Sequence, residues 1–132
     1  MFLGESAETA SAFSTVFNAM PGGMITLSAD GGKNGVVWGT VPIKGNWNGH
    51  DNNGNANQEI VEGILRAYDA IAMNGTNVNG NPKMKVLWQS TSPGNPQPGD
   101  TRFTYDKFCP PVVADGKVLL PTYDGKVIVY GL

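Results

Sequence analysis

The stretch Pro111-Val-Val-Ala-Asp-Gly-Lys-Val-Leu-Leu-Pro-Thr-Tyr-Asp-Gly-Lys-Val-Ile-Val-Tyr130 decides the architecture. Three apolar runs, Val112 to Ala114, Val118 to Leu120 and Val127 to Tyr130, are separated by Asp115-Gly116 and Asp124-Gly125. Asp-Gly between β-branched residues is a strong hairpin signal, because the turns that match strand twist need positive φ at their centre. The stretch therefore reads as a three-stranded meander. Val118 to Leu120 and Val127 to Tyr130 are apolar at consecutive positions, the pattern of strands covered on both faces. A sheet stacked between two neighbours would have that pattern.

Working toward the N-terminus, Met24-Ile25-Thr26-Leu27-Ser28-Ala29-Asp30-Gly31, Val36-Val37-Trp38, Ile64 to Asp69 and Lys85-Val86-Leu87-Trp88 read as four further strands. Setting Ala29-Asp30-Gly31 on Ala114-Asp115-Gly116 places Val36 to Trp38 over Val118 to Leu120, and Ile64 to Tyr68 over Val127 to Tyr130. The sequence repeats itself. The first copy carries a long insertion, 42–63, where the second has a tight turn, and it has a fourth strand, ending in Trp88, that the second lacks. Repeated four-stranded meanders are the units of β-propellers.

Gly63-Ile-Leu-Arg-Ala-Tyr-Asp-Ala70 followed by Lys85-Val-Leu-Trp88, and Pro111-Val-Val-Ala-Asp-Gly-Lys-Val118 followed by Tyr123-Asp-Gly-Lys-Val127, resemble the pyrrolo-quinoline-quinone-type repeat of quinoprotein alcohol dehydrogenase-like propellers. The resemblance spans about residues 20 to 132. It implies an all-β fold: a β-propeller fragment of about one complete four-stranded blade plus three strands of the next. Residues 21–92 form the complete blade with its inserted loop, 93–108 a linker, and 109–132 the incomplete C-terminal blade. Residues 1–20 are expected as a short helix over Ser6 to Phe17, or as an exchanged strand over Ala12 to Phe17 that completes the last blade. The resemblance also implies that Trp88 docks one blade on the next, with Trp38 packing alongside. It points to a periplasmic or extracellular parent, although Met1 to Phe13 carries acids where a signal peptide carries Lys or Arg.

Composition narrows the function. The chain's 18 Gly, 9 Pro and 13 Asn make about 30% of its 132 residues turn formers, while 40% hydrophobic residues suffice for a core. Nine Lys and Arg against 11 Asp and Glu leave a net charge of -2, with no cation excess to neutralise a nucleic-acid backbone. No apolar run approaches the roughly 20 residues of a membrane-spanning helix. Nucleic acid and membrane spans are therefore not expected as partners; the remaining propeller blades, or self-association, are.

Quinone-dependent dehydrogenases of the resembling family use a cation beside the quinone, carboxylate and amide ligands, a base and often a vicinal cysteine pair. This chain has one cysteine, Cys109, and one histidine, His50. No catalytic site and no bound quinone are expected, and Asp69, Asp115 and Asp124 read as turn formers. The insertion is rich in oxygen ligands. Counted from Asp51, Asn53 and Asn55 fall at positions 3 and 5 and Glu59 at position 9 of a calcium-type loop, although Ala56 stands where that loop has glycine. Asp51, Asn53, Asn55 and Glu59 are the candidate Ca²⁺ ligands. Trp47, His50 and Tyr105, with neighbouring Asn amides, are a candidate carbohydrate platform. The leading expectation is a non-catalytic scaffold; a dehydrogenase fragment and a sugar-binding loop module are the alternatives.

Overall fold

The computed structural model describes residues 23–47, 49–76, 82–91 and 97–131. Both expectations for residues 1–20 lie outside them. The described residues form strands and no helix. In chain order the strands are β1 (Ile25–Asp30), β2 (Lys33–Ile43), β3 (Gly45–Trp47), β4 (His50–Asn52), β5 (Glu62–Thr76), β6 (Pro82–Gln89), β7 (Phe103–Thr104), β8 (Val112–Ala114), β9 (Lys117–Pro121) and β10 (Val127–Gly131). The protein is all-β, with two principal antiparallel sheets. The first has the order β1-β2-β5-β6, with β7 added on β5; the second has the order β10-β9-β8.

The second sheet follows its turn chemistry. Asp115 and Gly116 take φ of 49° and 68°, the double positive φ of a two-residue hairpin turn, and Ala114 closes the turn against Lys117. At the next turn the Thr122 hydroxyl donates to Asp124 Oδ1 at 2.5 Å, and the Lys126 ammonium pairs with the same carboxylate. These two contacts, hydroxyl first after the lysine, hold the Asp124 carboxyl below its ordinary range.

The first sheet solves the same turn one residue later. Asp30 pairs with Lys33, so the turn is Gly31-Gly32 and not Asp30-Gly31. Ser28 nevertheless pairs with Val36, which leaves Ala29 opposite two residues, Asn34 and Gly35. Asn34 absorbs this bulge at φ 54°, a left-handed conformation that asparagine tolerates.

The insertion is shorter and more ordered than 42–63. Pro42 and Ile43 remain in β2, paired with Gly63 and Glu62 of β5, and β3 and β4 form a small hairpin within the remaining segment. The linker 93–108 likewise contributes structure, because β7 pairs with the start of β5. Phe103 fits there because Gly63 opposite has no side chain; a Cβ on Gly63 would stand 2.8 Å from Phe103 Cζ.

Between the two sheets lies the main core. Leu65, Phe103, Val118 and Leu120 are buried in it, with Trp38, Val113, Ile128 and Tyr130 packed around them. Leu65 has no solvent exposure. Its backbone is held on both sides by Ser90: the Leu65 N–H donates to Ser90 Oγ at 3.1 Å, and the Ser90 N–H donates to the Leu65 carbonyl at 2.9 Å. Two smaller clusters, Ile43 with Ile64 and Val37 with Tyr68 and Met84, lie on the other side of the first sheet.

Consecutive apolar residues in the second sheet do not mean cover on both faces. Val118 and Leu120 are buried against the first sheet, but Val112, Val127 and Val129 on the opposite face are 54%, 60% and 53% exposed. The run of β-branched residues sets the strand; it does not supply a neighbour for each face.

Candidate interaction surface

The sequence-derived candidates separate into three places. The Trp pair lies at the junction of the sheets. Trp38 on β2 and Trp88 on β6 have ring centroids 6.4 Å apart, and Trp88 meets Tyr130 of β10 edge-on at 5.3 Å. Trp38 Nε1 donates to Ser28 Oγ at 2.9 Å, which fixes the indole on the face that meets the second sheet. The Thr26 hydroxyl donates to the Pro111 carbonyl across the same junction. Trp88 therefore touches both sheets, one ring through Trp38 and the other through Tyr130.

The insertion holds the candidate calcium ligands. Asn53 Oδ1 accepts from the Asn55 N–H at 2.9 Å, and Asn55 Oδ1 accepts from the Asn57 N–H at 3.0 Å. Both amide oxygens thus close local turns. Asp51 Oδ1 accepts from Asn46 Nδ2 at 3.3 Å across the β3–β4 hairpin, while the backbone N–H of Glu59 donates to the Asn55 carbonyl at 3.0 Å. Among the described residues no three His, Cys, Asp or Glu gather as a metal would require.

The three members of the candidate carbohydrate platform are not equivalent. Trp47 and His50 are register partners closing the β3–β4 hairpin. Tyr105 is buried at 3% exposure, and burial pushes its hydroxyl up to about 12. Its N–H donates to the Val61 carbonyl at 2.9 Å. Tyr105 is therefore a core residue tying the linker to the end of the insertion, and its ring offers no open face for a sugar to stack on. The apolar pattern around it, Phe103-Thr104-Tyr105, was the available sign of that burial.

One polar feature was not visible in the sequence. Arg102 holds Glu62 with both ends of its guanidinium, Nε to Oε1 at 2.6 Å and Nη2 to Oε2 at 2.5 Å. The hydrogen bond to Glu62 raises the Arg102 pKa. This pair joins residues 40 apart in the chain and anchors β7 beside β5. Asp69 bonds its own backbone as a turn former does, within β5. Its Oδ1 accepts from the N–H groups of Ala72 and Ile71, each at 2.9 Å, and these bonds hold its carboxyl below the ordinary range. They lie where the pairing of β5 with β6 loses register.

Asp69 also lines an open cleft of about 410 Å³ with Asn34, Val36, Ile71, Ala72 and Leu87. Among the described residues its lining holds no Ser, Thr, Cys, His or Lys. Cys109, the one thiol, has its pKa raised, first by its hydrogen bond to Asp106 and then by burial, so the thiolate is disfavoured there.

What the structure leaves open instead is one face of the second sheet and its edge strands, β8 and β10. Val112, Val127 and Val129 share the outer face with half-buried Leu119, which pairs with both Val112 and Val129. β10 is an edge strand: among the described residues it pairs with β9 alone. No helix of the described residues is long and apolar enough to cross a membrane. No protein-family model, curated protein or solved structure matches the chain.

Proposed function

We propose that this chain is a non-catalytic β-sheet scaffold of propeller type, an interaction module whose partner is a further β-sheet unit. The remaining blades of a larger ring, or another copy of the chain, would supply that unit. The observation that carries the reading is the outer face of the second sheet, where Val112, Val127 and Val129 are each more than half exposed. A contiguous apolar face of this kind marks an association surface.

The order of the two sheets supports the same reading. Asp30 and Ala114 each precede a two-residue turn, so both direct their side chains to the corresponding side of their sheets. Counting back by two along the unbulged strand, Ser28 corresponds to Val112. Ser28 lies on the face that meets the second sheet, and Val112 lies on the face that meets nothing described. The sheets are thus stacked front to back. The front of the first is covered by the second, and the front of the second is the vacant seat for the next sheet in the series. Trp88, in contact with Trp38 and Tyr130, acts as the wedge of that stacking.

A quinone-dependent dehydrogenase fragment is the rival to test. Incubating the full chain with pyrroloquinoline quinone and Ca²⁺, then following quinone absorbance and alcohol-dependent dye reduction, is expected to give no bound chromophore and no turnover. Turnover above a heat-denatured control would overturn the scaffold reading.

A further inference from the structure

The edge of β10 can be read atom by atom. The Thr122 N–H donates to the Lys126 carbonyl at 2.9 Å, and this bond sets the alternation along the β9–β10 ladder. Ile128 and Tyr130, paired with Leu120 and Val118, turn their backbone groups toward β9. Val127, Val129 and Gly131 therefore turn their N–H and C=O groups outward, away from the sheet. In the first sheet the corresponding side of β5 is occupied by β6, running antiparallel. The outer side of β10 has no such strand among the described residues.

Edges exposed in this way normally carry protection such as Lys, Pro or a bulge. β6 has all three kinds: Pro82, Lys83, Lys85 and several shifts of register against β5. β10 has none. Its sequence is Val-Ile-Val-Tyr-Gly, its ladder with β9 is unbroken, and the adjacent Lys126 is paired with Asp124.

We infer that β10 pairs with β10 of a second copy of this chain, antiparallel about a two-fold axis midway between the two Val129 residues. This deepens the scaffold reading and rests on it. Centred there, Val129 faces Val129 of the other copy, and Val127 faces Gly131 in both directions. All three pairs have outward backbone groups, so the strands exchange about six N–H···O=C bonds. No charged side chain stands opposite a like charge. Ile128 and Tyr130 continue the inter-sheet core across the axis, because they already pack beside Leu120 and Val118. Val127 and Val129 continue the outer apolar face. The result is one six-stranded sheet with an isologous interface.

The test uses three forms of the full chain: wild type, Val129→Lys and Val129→Glu. Val129 is 53% exposed, so both substitutions leave the core intact, and circular dichroism checks this. Light scattering should show a wild-type dimer. Each variant alone should dissociate about fivefold or more readily, since like charges then face each other across the axis. An equimolar mixture of the two variants should recover association. Independently of any substitution, the Val127, Val129 and Gly131 amides of the wild type should exchange more slowly as concentration rises. Association that is unchanged in both variants, or is not restored in the mixture, overturns the β10 pairing and leaves the scaffold reading standing; those three amides exchanging at one rate at all concentrations would do the same. A strictly monomeric wild type overturns the β10 pairing and leaves the remaining blades of a larger ring as the scaffold's partner.

Discussion

Leu65→Ala will lower the unfolding free energy by about 3–4 kcal/mol. Leu65 is the central residue of the inter-sheet core, without solvent exposure, and its neighbours Phe103, Val118 and Leu120 come from both sheets. Removing its three outer carbons loses their transfer energy and leaves a cavity. The surroundings cannot collapse into that cavity, because Ser90 pins the Leu65 backbone through two hydrogen bonds. Urea unfolding of the variant, read by tryptophan fluorescence and circular dichroism together, gives the value. A loss below about 1 kcal/mol would mean that the sheets do not share this core.

Phe103→Ala is expected to cost about 3–5 kcal/mol, and Gly63→Ala about 1–3 kcal/mol. The two effects have one cause. The Phe103 ring lies over Gly63 where β7 joins β5, so an added Cβ collides with the ring and removal of the ring leaves the glycine bare. The double variant should therefore be more stable than the sum of the single losses predicts, by at least about 1 kcal/mol. Strict additivity would place Phe103 elsewhere and detach the linker from the sheet.

These positions show what was legible in the sequence. Asp115-Gly116 and Asp124-Gly125 mark the two turns of the second sheet, a two-residue loop between Ala114 and Lys117 and a three-residue loop, 123–125, between Thr122 and Lys126. The first sheet's four main strands were legible as short apolar, β-branched runs. Its register was not: the Asp30-Gly31 pair looks like the turn, yet Gly32 lets the turn move on by one residue and Asn34 takes up the difference in a bulge. β7 was invisible, since two residues carry no periodicity, and it exists because Gly63 leaves room for Phe103. β3 and β4 were also missed, since their Asn- and Gly-rich composition reads as loop.

The candidate sites divide along the same line. Trp38 and Trp88 were singled out as packing residues through the family resemblance, and their rings meet each other, with Trp88 edge-on to Tyr130. The oxygen-rich insertion could not be decided by ligand spacing, because Asn side chains serve local turns as readily as ions, and Asn53 and Asn55 do so here. Tyr105 was grouped with Trp47 and His50 as an aromatic near Asn residues, but it belongs to the buried segment that starts at Phe103. The Glu62–Arg102 pair depends on β7 docking and has no local signature. The open face was misread because an apolar run states what a strand can bury, while exposure depends on which neighbours are present.

The scaffold account makes association of the chain its central claim, and the solution mass tests it most directly. Light scattering on the purified 132-residue chain, across about two decades of concentration, should give a discrete assembly, with the β10 pairing placing it at twice 14.0 kDa. A mass that stays at 14.0 kDa throughout would contradict self-association, because the exposed valine face and the open edge of β10 would then be stable in water without a second copy.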